Sequence, residues 1–150
     1  MKTINKPSDN LGGLLKIWAI PKNVFSLNGK DITFTDTSKV CQLYCTPGSM
    51  AMEEREEKSK GGFYFTTSIS AFIPGDSDEV RTALNDMQGK LYHILYIDGN
   101  GNFKLAGTVH FPLRLTATLI TGQSEQQRAG HEIIFSGKTR QRSVFVNNPF

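Results

Sequence analysis

From Phe63 to Ile73 the odd positions Phe63, Phe65, Ile69, Ala71 and Ile73 are apolar, while Thr66, Ser68 and Ser70 fill even ones. A period of two puts one side of the chain in a core and the other in solvent, so this segment is a strand. Leu113, Leu115, Ala117 and Leu119 repeat the pattern against Arg114, Thr116 and Thr118. Leu91 to Ile97 is apolar on both faces, as a central strand requires, and Asp98-Gly99-Asn100-Gly101-Asn102 turns the chain back. Phe103, Leu105, Val109 and Phe111 then alternate with Lys104, Thr108 and His110, predicting an antiparallel partner. Leu14 to Ile20, stopped by Pro21, predicts a first strand, and Val40 to Cys45 another. Asn28-Gly29 between Val24–Leu27 and Ile32–Thr35 predicts a hairpin, because both turn residues tolerate positive φ. His131 to Gly137 and Ser143 to Val146 supply closing strands after a polar loop over Gly122 to Gly130.

One segment departs from this β pattern. Over Asp76 to Gln88, residues 76–88, the apolar Val80, Ala83, Leu84 and Met87 follow helical i, i+3, i+4, i+7 spacing. Asp76 is the expected N-cap, Glu79 adds negative charge to the first turn, and Gly89 ends the helix. The expected fold is mostly β: a sandwich or barrel of about eight strands with one flanking helix.

The chain has 150 residues, the size of a single domain over 1–150, and its 38% hydrophobic and 21% charged content suits a packed core. Seventeen basic against 14 acidic side chains give a formal charge of +3, too mild to name a partner. No run approaches the roughly 18 apolar residues of a membrane helix, and residues 1–10 lack a signal peptide's apolar centre, so a cytoplasmic site of synthesis is expected. Those ten residues read as an N-terminal arm. Cys41 and Cys45, about 13 Å apart if they share a strand, are expected as free thiols.

No catalytic constellation emerges. The Asp98 to Asn102 segment begins like a calcium loop, but Phe103 and Val109 stand where that motif needs Gly and a bidentate Glu. His93, His110 and His131 have no second ligand at metal spacing, and there is no nucleophile elbow, Walker loop or dinucleotide fingerprint. Neither a metal, a cofactor nor an enzymatic activity is expected.

Two charged segments stand out. Glu53-Glu54-Arg55-Glu56-Glu57-Lys58-Ser59-Lys60 is the densest, and it reads either as a solvated edge or as a charged hairpin arm over residues 50–62 that reaches a neighbouring subunit. Lys138, Arg140 and Arg142 form a basic cluster that either stays solvated, pairs with the acidic run on a second copy, or contacts phosphate. Glu53, Glu54, Arg55, Glu56, Glu57, Lys138, Arg140 and Arg142 are the subunit-interface candidates.

The opening Leu11-Gly12-Gly13-Leu14, the Gly61 to Ile73 strand leading through Pro74-Gly75 into the helix, the Tyr92 to Gly107 hairpin and the ending Gly130 to Gly137 together give a layout. That layout resembles the tail-tube and neck (connector) ring proteins of tailed bacteriophages. The resemblance covers most of the chain and is one of arrangement rather than of motif. It implies a non-enzymatic virion protein that forms a ring around the DNA passage, contacts neighbouring tail, portal or neck proteins, and waits in the host cytoplasm before assembly. Head-to-tail contacts that close into a ring would also protect open strand edges. The alternative is a small-ligand or carbohydrate-binding β-sandwich module using Trp18 and the tyrosines as stacking surfaces. A flavin-binding split barrel is a third reading, and it predicts a bound chromophore.

Overall fold

In a computed structural model of the protein, residues 3–4 and 11–150 are described. The arm expected over 1–10 therefore lies outside the described residues except for Thr3 and Ile4. The chain is mostly β with one helix, as the periodicities predict. Its strands are β1 (Leu14–Pro21), β2 (Phe25–Asn28), β3 (Asp31–Phe34), β4 (Cys41–Leu43), β5 (Ala51–Ser59), β6 (Gly62–Pro74), β7 (Leu91–Asp98), β8 (Phe103–Ala106), β9 (Leu113–Ile120), β10 (Gly130–Thr139) and β11 (Val144–Phe145). The helix α1 spans Asp78–Met87.

Nine strands form one antiparallel sheet, and β2 and β3 form a separate hairpin. The sheet folds over at the junction of β7 and β9, which is only two residue pairs long, Leu91 with Arg114 and Tyr92 with Leu113. One layer is then β4-β1-β7-β8-β11 and the other β9-β10-β6-β5. Ile17, Ala19, Tyr92, Ile94 and Tyr96 of the first meet Ile69, Ala71, Ile73, Ile133 and Phe135 of the second in a common core, with Leu84 and Met87 of α1 packed into it. The Tyr92 and Phe135 rings meet edge to face at 6.2 Å.

β1 and β7 are buried on both faces. Behind them Trp18, Ile20, Leu95 and Leu105 make a second apolar layer, covered by Val24 and Ile32 of the hairpin region and by Val146. The segment after β11 is pinned there, with Asn147 N–H donating to the Lys30 carbonyl and its side chain to Asp31. Phe150 lies 5.2 Å from the Trp18 ring and 5.6 Å from that of Phe34.

Several local expectations shift. Ser77, not Asp76, caps α1, its hydroxyl accepting from Val80 N–H at 3.2 Å, so the helix starts later than Asp76. The strand expected through Phe111 stops at Ala106 because Gly107 turns at φ +80°. Asn28 pairs with Asp31, so the two-residue turn is Gly29-Lys30. The Val40 to Cys45 strand shortens to Cys41–Leu43; both thiols are free, and burial pushes that of Cys45 up to about 11. The Asp98 turn holds as expected, its carboxylate accepting from the Asn100 and Asn102 backbones and pairing with Lys104 at 2.8 Å.

Candidate assembly surface

The acidic run is itself strand β5, paired with β6 from Ala51 opposite Ser70 to Ser59 opposite Gly62. The charged hairpin expected over residues 50–62 is thus formed by β5 and the start of β6, with most of its length held in the sheet. β10 pairs with β6 as far as Phe65 opposite Thr139, so only the hairpin tip beyond that pair overhangs the sheet. Among the described residues β5 pairs with no other strand, and its free edge carries alternating exposed charge: Glu53, Arg55, Glu56 and Lys58. Charge of this kind discourages indiscriminate strand pairing.

The inner face of β5 explains where the basic cluster goes. Arg142 donates to Glu56 at 2.9 Å and lies 4.6 Å over the Phe65 ring, while Glu54 accepts from the backbone N–H of Ser143. Ser143 in turn is 2.8 Å from the Tyr96 hydroxyl, whose pKa burial pushes up to about 12. The acidic run and Arg142 thus meet within one chain, closing one end of the sandwich. Arg142, read from the sequence as able to meet an acidic run on a second copy, here takes its carboxylate from its own β5. Lys138 and Arg140 follow different paths. Lys138 lies on the outer face, 5.1 Å over the Tyr64 ring, and Arg140 is exposed at the end of β10. On that outer face Arg55 pairs with Glu53 at 2.9 Å, and Glu57 accepts from Thr66.

The opposite margin of the same layer is β9. It pairs with β10 from Arg114 to Ile120 but touches β7 only at Leu113 and Arg114, which leaves its other edge unpaired from Leu115 to Ile120. No charge guards this edge, and Thr116, Ala117, Thr118 and Leu119 are exposed, Leu119 to 41%. A cleft of about 460 Å³ separates β9 from α1, lined by Leu84, Leu115, Ala117 and Leu119 with Arg81 and His131 at its polar side. Asp76 orders that polar side. It accepts from Arg81 Nε and Nη2 at 2.8 and 2.6 Å and lies 3.1 Å from His131 Nε2. The Arg81 contact, with help from His131, holds the Asp76 carboxyl down at about 2.

The open β9 edge was missed among the interface candidates, although a signal existed: no charged residue occurs between Arg114 and Glu125, unlike the crowded β5. The Asp76–His131 contact carried no local signal, because its members are 55 positions apart.

His93 is buried, with Nδ1 3.3 Å from the Gly107 carbonyl and its ring edge on to Phe25, and burial lowers its pKa. Among the described residues no group of three or more His, Cys, Asp or Glu side chains is placed to hold a metal ion. Trp18 is 8% exposed and packed between Phe103 and Phe150, so it offers no stacking platform to a sugar. No helix among the described residues is long and apolar enough to cross a membrane. Comparison of the chain with protein-family models, curated proteins and solved structures finds no match.

Proposed function

We propose that this protein is a structural, non-enzymatic subunit of a bacteriophage tail or neck that assembles with its own copies into a ring around the DNA passage. The observation that carries this reading is the pair of unpaired edges on one four-stranded layer. β5 bounds it on one side and the Leu115–Ile120 segment of β9 on the other. Two different edges on one subunit favour head-to-tail association, which closes into a ring when the rotation per subunit is right. The edges also differ in charge. β5 carries four glutamates against Arg55 and Lys58, whereas the one charged residue of β9 is Arg114, exposed next to the open Leu115–Ile120 edge and in no ion pair with another described residue.

On this reading β9 of one copy takes β5 of the next, and the exposed Ala117 and Leu119 are covered in the assembly. Neighbouring tail, portal or neck proteins stack on the ring, DNA is cargo, and the finished location is the virion. Electron microscopy and sedimentation of the purified protein across a concentration series provide the test. Rings, abolished by Leu119→Lys with the circular dichroism spectrum unchanged, are expected. A particle that stays monomeric at every concentration and in tail preparations would overturn the proposal.

A further inference from the structure

One end of the molecule gathers cations and aromatic rings in a way that neither the core nor the edges require. The β5–β6 turn and the end of β10 enclose an open cleft of about 270 Å³, lined by Phe63, Tyr64, Phe111, Lys138 and Arg140 together with Gly61 and Gly62 of the turn. Phe63 is 63% exposed, so most of its ring is open to a ligand. Lys58 Nζ stands 5.8 Å from the Phe63 ring centre and Lys138 Nζ 5.1 Å from that of Tyr64. Lys60, at the turn itself, and Arg140 are exposed. None of these four cations forms an ion pair with another described residue. Glu57, on the same hairpin, accepts from Thr66 at 2.9 Å, and its pKa is lowered by hydrogen bonding from Tyr64 and Thr66 and, less, by the cations Arg55 and Lys138.

We infer that this cleft binds single-stranded nucleic acid, with Phe63 stacking on a base and Lys138 and Arg140, which line it, taking the adjoining phosphates. The chemistry separates this partner from two neighbouring ones. Cations alone would suit any polyanion, but an exposed ring set among them offers a π-face, and only unpaired bases have a free face to meet it. Duplex DNA presents phosphates but no open base face, so it gains nothing from Phe63. The cleft lies where the hairpin tip passes the end of β10, whose last pairs with β6 are Lys138 with Thr66 and Thr139 with Phe65, and a single copy of the chain contains all of its lining. It therefore does not rest on ring formation.

Fluorescence anisotropy with labelled oligo-dT, oligo-U and a duplex of equal length tests the inference on the full chain at low ionic strength. Saturable binding of at least one single strand, tighter than the duplex, is expected; the dT and U arms show whether DNA or RNA is preferred. Phe63→Ala, a change at an exposed position, should weaken single-strand binding about tenfold. Lys138→Ala with Arg140→Ala, both exposed positions, should flatten the slope of log affinity against log salt by about 1.4, at roughly 0.7 for each phosphate no longer neutralised. No binding to either single strand, an equal or tighter duplex complex, or a Phe63→Ala variant that binds like the parent would each overturn it. Because a monomer suffices, failure here leaves the sedimentation result on ring assembly untouched.

Discussion

Arg142 reaches 86 positions back along the chain to Glu56, its guanidinium 2.9 Å from the carboxylate and 4.6 Å over the Phe65 ring. Both members are about half exposed, so solvent screens much of the attraction. Arg142→Ala should cost about 0.5–1 kcal/mol, ion pair and ring contact together. A double-mutant cycle with Glu56→Ala in urea should return a coupling under about 1 kcal/mol. A much larger coupling would mean that the pair is the keystone of the sandwich end rather than a screened closure.

The shared core makes a stronger demand. Phe135 is fully buried between the layers, so Phe135→Ala should destabilise by about 3–5 kcal/mol in denaturant titration. Phe145→Ala, at a ring 54% exposed, should cost less than about 1 kcal/mol. Similar losses at both would show that the two layers do not pack as described.

Backbone geometry decides the outcome at Gly130. There φ is +155°, and a Cβ would fall against the Ile73 carbonyl oxygen and 2.8 Å from Phe72 Cζ. Gly130→Ala should destabilise by about 1–3 kcal/mol or more, since the β6–β10 ladder must shift to admit it. Gly12→Ala, with open space around its Cβ, should leave the melting temperature unchanged.

Asp76 makes stability sensitive to strong acid. Its folded pKa of about 2 lies below the free value of 3.8, so its stabilising contribution is complete above roughly pH 4 and disappears as pH falls towards 2. Thermal melts of Asp76→Asn should therefore lie below wild type at neutral pH and converge with it near pH 2. Parallel curves over that range would refute the Arg81 and His131 contacts as the cause. His93 has the same sign, because its lowered folded pKa means that stability is lost as pH falls below about 6.5.

What could be read from the sequence follows from how local each signal is. α1 was legible because Val80, Leu84 and Met87 repeat within three turns, yet Asp76 and the adjacent Ser77 are equally good caps, and only the distant His131 and the nearby Arg81 divert Asp76. β6, β7 and β9 announced themselves by alternation or by continuous apolarity. β5 did not: six of its nine residues are charged, and its strand character comes from β6 alongside it. The same limit applies to the surface. The candidate residues in β5 were found by charge density, but Arg142 proved to be occupied at home, and the unguarded edge of β9 became visible only once its neighbours were known.

The pairing of β1 with β7 sets an order of events during synthesis. Residues 14–21 leave the ribosome long before their main partner at 92–98, and β4 offers only three register pairs in the interval. Until Asp98 has emerged, an apolar ribbon containing Ile17, Trp18, Ala19 and Ile20 must remain without its principal neighbour, and the face behind it is sealed only when Val146 and Phe150 arrive. A chain built this way is vulnerable while nascent. Chaperone occupancy on translating ribosomes should peak over that interval and fall once Val146 and Phe150 have emerged.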